Sequence, residues 1–181
     1  MKTYISMLRG INVSGKNLIK MDTLQEMYKN LGYKNVKTFI QSGNVIFQSE
    51  EEDISALTSK ISLTIQEVFS LNIPVFVKEK SDLAKIYKGN PFLKDADKKA
   101  ENQYICLLSN VINTQLIKKI ENSKYLPDTF SFKENAIYIY CQNGYGQTKL
   151  NNNFFENKLK VNATTRNLKT IRTLIELCDT I

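Results

Sequence analysis

Histidine is absent from all 181 residues. Its absence excludes Ser-His and Cys-His nucleophile pairs, histidine-ligated metals and imidazole acid–base chemistry. Any catalysis would fall to carboxylates, Lys, Tyr, Cys or backbone groups. Cysteine is scarce. Cys106, Cys141 and Cys178 lie far apart, an odd number that cannot pair fully and a spacing that matches no metal motif. The expectation is reduced thiols in a cytoplasmic protein. No apolar run approaches the ~20 residues of a membrane span. The strand pattern begins at Lys2, so no signal peptide is expected. Arginine is nearly missing too: of 25 basic residues only Arg9, Arg166 and Arg172 are arginine. Where a plain charge suffices, lysine serves. An arginine kept inside a polar motif points to its flat, two-pronged donor geometry. Arg9 and Arg166 sit in such motifs, whereas Arg172 falls inside a predicted helix.

What is present is ordinary for a globular protein. The chain is 42% hydrophobic, too apolar for wholesale disorder. Its length suits one large domain or two small ones. The net charge is +7, spread over both halves without a basic tail or block. A diffuse positive charge raises the odds of a polyanion partner, and a solvated lysine-rich surface is the plainer account of it.

Periodicity lays out the first half. Residues 2–8 form a strand. A helix follows from Asp22, an N-cap with Gln25 in capping-box position, and Gly32 ends it. Residues 36–40 and 45–48 are strands around a tight turn at Ser42-Gly43-Asn44. The acidic start at residues 50–53 opens a helix to residue 70 with Ile54, Leu57, Ile61, Ile65 and Val68 inward. Residues 73–77 are a strand whose Pro74 suits a sheet edge. Ser81 caps a short helix over residues 82–88.

The second half repeats the order. Residues 103–108 are a strand and 114–121 a helix; 130–132 and 136–141 are a hairpin turning at Lys133-Glu134-Asn135. A helix at 150–159, a short strand at 161–165 and a last helix at 168–178 follow, with Leu168, Ile171, Ile175 and Cys178 on one face. Tyr104-Ile105-Cys106-Leu107-Leu108 echoes Tyr4-Ile5-Ser6-Met7-Leu8. The expectation is an α+β protein of two tandem ferredoxin-like β-α-β-β-α-β subdomains with antiparallel sheets. They cover residues 1–90 and 102–181, with 91–101 as a linker.

Topology then places a candidate site. In such a unit the loop after the first strand and the turn after the second emerge at one end of the sheet. Arg9, Gly10, Asn12 and Lys16 should therefore meet Gln41, Ser42 and Asn44. A guanidinium, an ammonium, amides, a hydroxyl and glycine N–H groups suit phosphate or carboxylate. The plainer account is that the glycines only turn the chain and the asparagines bond locally. Gly10-x4-Gly15-Lys16-Asn17 nearly matches a phosphate-binding P-loop, but Asn17 stands where Ser or Thr must meet magnesium. Gly144-Tyr145-Gly146 leads to a helix with Thr148 as N-cap. Thr164, Thr165, Arg166 and Asn167 lead into the last helix, capped by Thr165 or Asn167. Arg166 would there sit against the positive end of the helix, so an anionic partner is expected beside it. If the halves pack about an approximate twofold axis, these residues and the Arg9 loop would share one cleft. Tyr138 and Tyr140 alternate on one strand face. Without an RNP pattern, a covered sheet face explains them better than base stacking.

Taken together, Leu8-Arg9-Gly10-Ile11-Asn12-Val13 with Lys16 and Met21, Thr38-Phe39-Ile40-Gln41-Ser42-Gly43-Asn44-Val45 with Phe47, and Ala163-Thr164-Thr165-Arg166-Asn167 carry a resemblance. Three motifs in order over nearly the whole chain resemble the family known as domain of unknown function 1697. Leu168 stands where that family often has Trp. The resemblance implies an α+β fold with ferredoxin-like halves, and it implies no activity, substrate or catalytic residue. The functional expectation is a protein that binds an anionic small molecule or nucleic acid, with no cofactor, metal or membrane partner. A metal-independent enzyme using Lys16 or a carboxylate, and a purely structural scaffold, are the alternatives.

Overall fold

The computed structural model describes residues 1–181 except Ile112 and Glu134, and all their side chains except that of Thr114. The middle residue of the expected Lys133-Glu134-Asn135 turn thus lies outside the described residues. Two units divide the chain: Met1–Leu83 with Thr173–Ile181, and Ala84–Arg172.

In the first unit the elements run β1 (Lys2–Leu8), α1 (Met21–Asn30), β2 (Lys34–Phe39), β3 (Asn44–Ser49), α2 (Ile54–Phe69) and β4 (Val75–Glu79). The strands form one antiparallel sheet in the order β2-β3-β1-β4. β1 is central, and its residues Tyr4 to Leu8 are all buried. That is why it reads as an unbroken apolar run. Because alternate residues face opposite sides, Tyr4, Leu8, Val45, Phe47, Val75 and Val77 share one core with Leu24, Met27 and Tyr28 of α1 and Leu57, Ile61 and Ile65 of α2. Ser6 also points to this side, and its hydroxyl lies 2.5 Å from the Tyr28 hydroxyl. Ile5, Met7, Ile46 and Phe76, on the other face, are buried as well. Pro74 immediately precedes β4, an edge strand, where its missing N–H breaks no ladder bond.

Several local expectations need correction. α1 starts at Met21 after Lys20, which makes no side-chain cap bond, so Asp22 sits inside the first turn. Gln25 is not part of a capping box, because its amide donates to the Val36 carbonyl at 2.7 Å. Val68 on α2 is 52% exposed rather than inward. Asp53 caps α2 by accepting from the Ser55 N–H. The last residues of the chain belong with the first unit: Lys37 donates to the Thr180 carbonyl and hydroxyl, both at 3.1 Å, and Lys80 pairs with Asp179.

In the second unit β5 (Gln103–Leu108), α4 (Thr114–Lys118), β6 (Thr129–Lys133), β7 (Ala136–Tyr140), α5 (Asn152–Leu159) and β8 (Ala163–Asn167) repeat the sequence of elements. The antiparallel sheet runs β6-β7-β5-β8. Cys106, Leu108, Phe130, Ile137, Ile139, Phe155 and Leu159 form its core. Helices α3 (Lys80–Lys88) and α6 (Leu168–Leu177) span the chain positions where the units divide. On α6 the fully buried residues are Ile171 and Leu174, with Leu174 in place of the expected Ile175.

The segment expected as a linker is built into the second unit. Asn90 is 3% exposed; its side chain accepts from the Phe92 N–H and donates to Gln103 at 2.9 Å. The Gln103 amide returns bonds to the carbonyls of Phe92 and Lys98. Lys98 lies 5.5 Å from the Phe92 ring centre and 5.4 Å from that of Tyr140. Charged composition hides this packing, because lysine stems cover rings while the ammonium stays wet. Tyr140 is thereby covered, and Tyr138, also buried, donates to the Ile86 carbonyl at 2.8 Å.

Candidate functional site

The loop after β1 and the turn after β2 do meet. The Leu8 N–H donates to the Gly43 carbonyl at 2.9 Å and the Arg9 N–H to the Pro74 carbonyl at 3.0 Å. The chain then passes through Gly10, Asn12, Ser14, Gly15 and Asn17, all with positive φ. Two interior bonds close the loop, from Asn12 N–H to the Asn17 carbonyl and from Lys16 N–H to the Val13 carbonyl. Ile11 and Ile19 anchor it in the core, 1% and 3% exposed.

Asparagine side chains hold this shape. Asn12 donates to the carbonyls of Ile19 and Gln41 and accepts from the Ile19 N–H, each at 2.9 Å. Asn17 donates to the Gly10 carbonyl at 2.9 Å. In the turn, Ile40 has φ 52° and Gly43 φ 72°. Gly43 has two reasons to lack a side chain, since a Cβ there would also come within 2.5 Å of Ile11 Cδ1. Asn44 is fully buried, and its amide donates to the Phe39 carbonyl and the Ser42 hydroxyl. Asn12 and Asn44 are therefore spent on the scaffold. Gln41 and Lys16 are exposed, and Arg9 and Ser42 are half-buried at the same end of the sheet.

The second polar motif lies in the other unit and is organised differently. β8 continues through Asn167, so Arg166 lies within a strand, opposite Ile105, rather than at a helix start. It is 9% exposed and donates to the Thr164 hydroxyl at 2.9 Å and the Thr165 carbonyl at 3.0 Å. Thr165 donates to the Asn152 side chain, and Asn167, not Thr165, caps α6 by accepting from Thr170 N–H at 2.7 Å. Ahead of α5, Asn151 is the cap instead of Thr148, whose hydroxyl accepts from Leu150 N–H one turn earlier.

Thiol chemistry gains no support from these surroundings. Burial pushes Cys141 and Cys178 up to about 11, which disfavours the thiolate that a nucleophile needs. Among the described residues no group of three Cys, Asp or Glu is placed to hold a metal ion, and no helix is long and apolar enough to cross a membrane. One feature of the first unit has no sequence signature: a cavity of about 370 Å³ beside Tyr33. Its lining comes from stretches scattered along the first unit.

Residues 1–138 match the family model described as protein of unknown function, DUF1697. The chain belongs to this family. The match contains both the loop and the turn described above. No curated protein matches the chain. Among solved structures it resembles the conserved bacterial protein SP0830 from Streptococcus pneumoniae, at 20% identity and TM-score 0.76 over 98% of each chain. At that identity the likeness speaks for the α+β fold.

Proposed function

We propose that the first unit binds a phosphate-bearing or other anionic ligand at residues 9–16 together with the turn at residues 40–43. The observation that carries this reading is the left-handed backbone concentrated there. Asn12, Ser14, Asn17 and Ile40 all take positive φ without being glycine. Such residues cost about 1–2 kcal/mol each, less for asparagine, and strain of this kind collects at binding and catalytic sites. The Asn12 clamp fixes the geometry, so that Arg9 and Lys16 extend from a rigid frame. Arginine's planar fork suits a phosphate or carboxylate, and the net charge of +7 favours anions at long range. Thr164, Thr165, Arg166 and Asn167 have local roles in their own unit, so the proposal rests on the first unit. We also infer that both halves are ferredoxin-like and arose by duplication. The twice-repeated β-α-β-β-α-β order and the matching strand orders support this. Three buried cysteines, none in a disulfide, support a reducing, cytoplasmic setting.

Titration of the full chain with nucleotides, sugar phosphates and a short single-stranded RNA, followed by amide NMR shifts, tests the reading. Saturable shifts at residues 9–17 and 40–44 are expected, and Arg9→Ala should weaken binding roughly tenfold or more. Arg9→Lys keeps the charge and should recover only part of the loss. Binding by RNA alone, falling steeply with salt, would assign the site to nucleic acid. If no anion moves these amides, the loop and turn are scaffold only.

A further inference from the structure

The cavity beside Tyr33 lies wholly within the first unit and is separate in sequence from the Arg9 loop. Its volume, about 370 Å³, is at the low end for ligand pockets, which fits a molecule of amino-acid size. Lys34, Lys60, Glu50, Glu51 and Gln48 are among the residues that line it; the Glu51 carboxylate also accepts from the Asp53 N–H at 2.8 Å, and the Gln48 amide is bonded to Asn35 and Thr3. Among the described residues none of these four charged groups takes part in an ion pair. Lys60 instead donates to the Leu31 carbonyl at 3.2 Å and lies 5.7 Å from the Tyr33 ring centre.

Tyr33 is the unusual member. It is 7% exposed, its ring centre lies 4.5 Å from that of Phe47 with the planes tilted by 32°, and its hydroxyl is buried without a hydrogen-bond partner among the described residues. Buried hydroxyls are nearly always paired. Burial, with a smaller contribution from the Glu51 carboxylate, pushes this phenol up to about 12, so it remains a proton donor at neutral pH.

We propose that this cavity binds a small zwitterion of the free α-amino acid class, its carboxylate received by Tyr33 and the two lysines and its ammonium by Glu50 and Glu51. The charge pattern decides the class. A ligand of one sign would be attracted by two of the four charges and repelled by the other two. A zwitterion matches both, and its carboxylate supplies the acceptor that the Tyr33 hydroxyl lacks.

The experiment is an amide NMR titration of the full chain with each free L-amino acid in turn. The N-acetyl amino-acid amides serve as neutral equivalents and inorganic phosphate as an anion. At least one free amino acid should give saturable shifts at Lys34 and residues 48–51, while its neutral equivalent leaves them in place. Tyr33→Phe should weaken that binding roughly tenfold, the loss of one hydrogen bond to a charged group. Should that variant fold poorly, exposed Lys60→Met is expected to weaken binding by a similar factor without disturbing the core. Absence of saturable shifts with every amino acid, equal shifts from the neutral equivalents, response to phosphate alone, or unchanged affinity in both variants would overturn the proposal.

Discussion

The side-chain amide of Asn12 donates to the backbone carbonyl of Gln41 at 2.9 Å, joining two segments 29 residues apart in sequence. The same side chain makes two further bonds to Ile19, so one residue ties the loop to itself and to the turn. Asn12→Ala removes all three bonds and places alanine at φ 53°. At about 1 kcal/mol net for each bond, plus the left-handed penalty of about 1–2 kcal/mol, a loss of about 4–5 kcal/mol is expected. Urea denaturation measures it. A loss within 1 kcal/mol of zero would show that the clamp contributes little.

Gly43 and Ile11 should be energetically coupled. Gly43→Ala brings a methyl group to 2.5 Å from Ile11 Cδ1 at φ 72°, and a loss of about 2–3 kcal/mol is expected from overpacking and backbone strain together. Ile11→Val removes that Cδ1. The double variant should therefore be more stable than the sum of the two single changes predicts, by at least about 0.5 kcal/mol. Strict additivity in a double-mutant cycle would mean that the clash is relieved elsewhere.

Ile40 is a β-branched residue at φ 52°, 48% exposed. Glycine takes that backbone freely, and little buried apolar area is lost with the side chain. Ile40→Gly should raise stability by about 1 kcal/mol, an unusual sign for a strand-end substitution, and thermal melting would detect it. If the strained turn serves ligand binding, the same variant should lose affinity for the anion while gaining stability.

Asp95 supplies a test in pH. The hydrogen bond from Lys98, and then that from the Asp97 N–H, hold its carboxyl below the ordinary value of 3.8. A depressed acid contributes stability that is complete above its unfolded pKa and is lost as pH falls through the lower, folded value. Asp95→Asn should therefore be less stable than the natural chain at neutral pH, with the gap closing below about pH 4. The size is small because the group is exposed to solvent. A gap that widens on acidification would contradict the assignment.

Much of this molecule is written in local pattern. Residues 2–8 and 103–108 emerge as strands with the bounds that periodicity sets, because both are central and must be apolar on both faces. Gly32, with φ 88°, ends α1 where the glycine signal places it. The meeting of the Arg9 loop with the Gln41 turn also follows from element order, since strand direction alone puts both at one end of a sheet. Local pattern does not reach further. It cannot show that Asn12 serves distant carbonyls, because an asparagine reads alike in a turn and in a clamp. It ends the last strand too early, because only pairing with Ile105 keeps Arg166 extended and buried. It reads residues 91–101 as a linker, because the contacts that fix them come from Gln103 and Tyr140. It has no means of finding the Tyr33 cavity, whose charges meet only after two helices and a hairpin have packed. Periodicity records which face of an element is dry; which polar groups face one another is decided by tertiary contact.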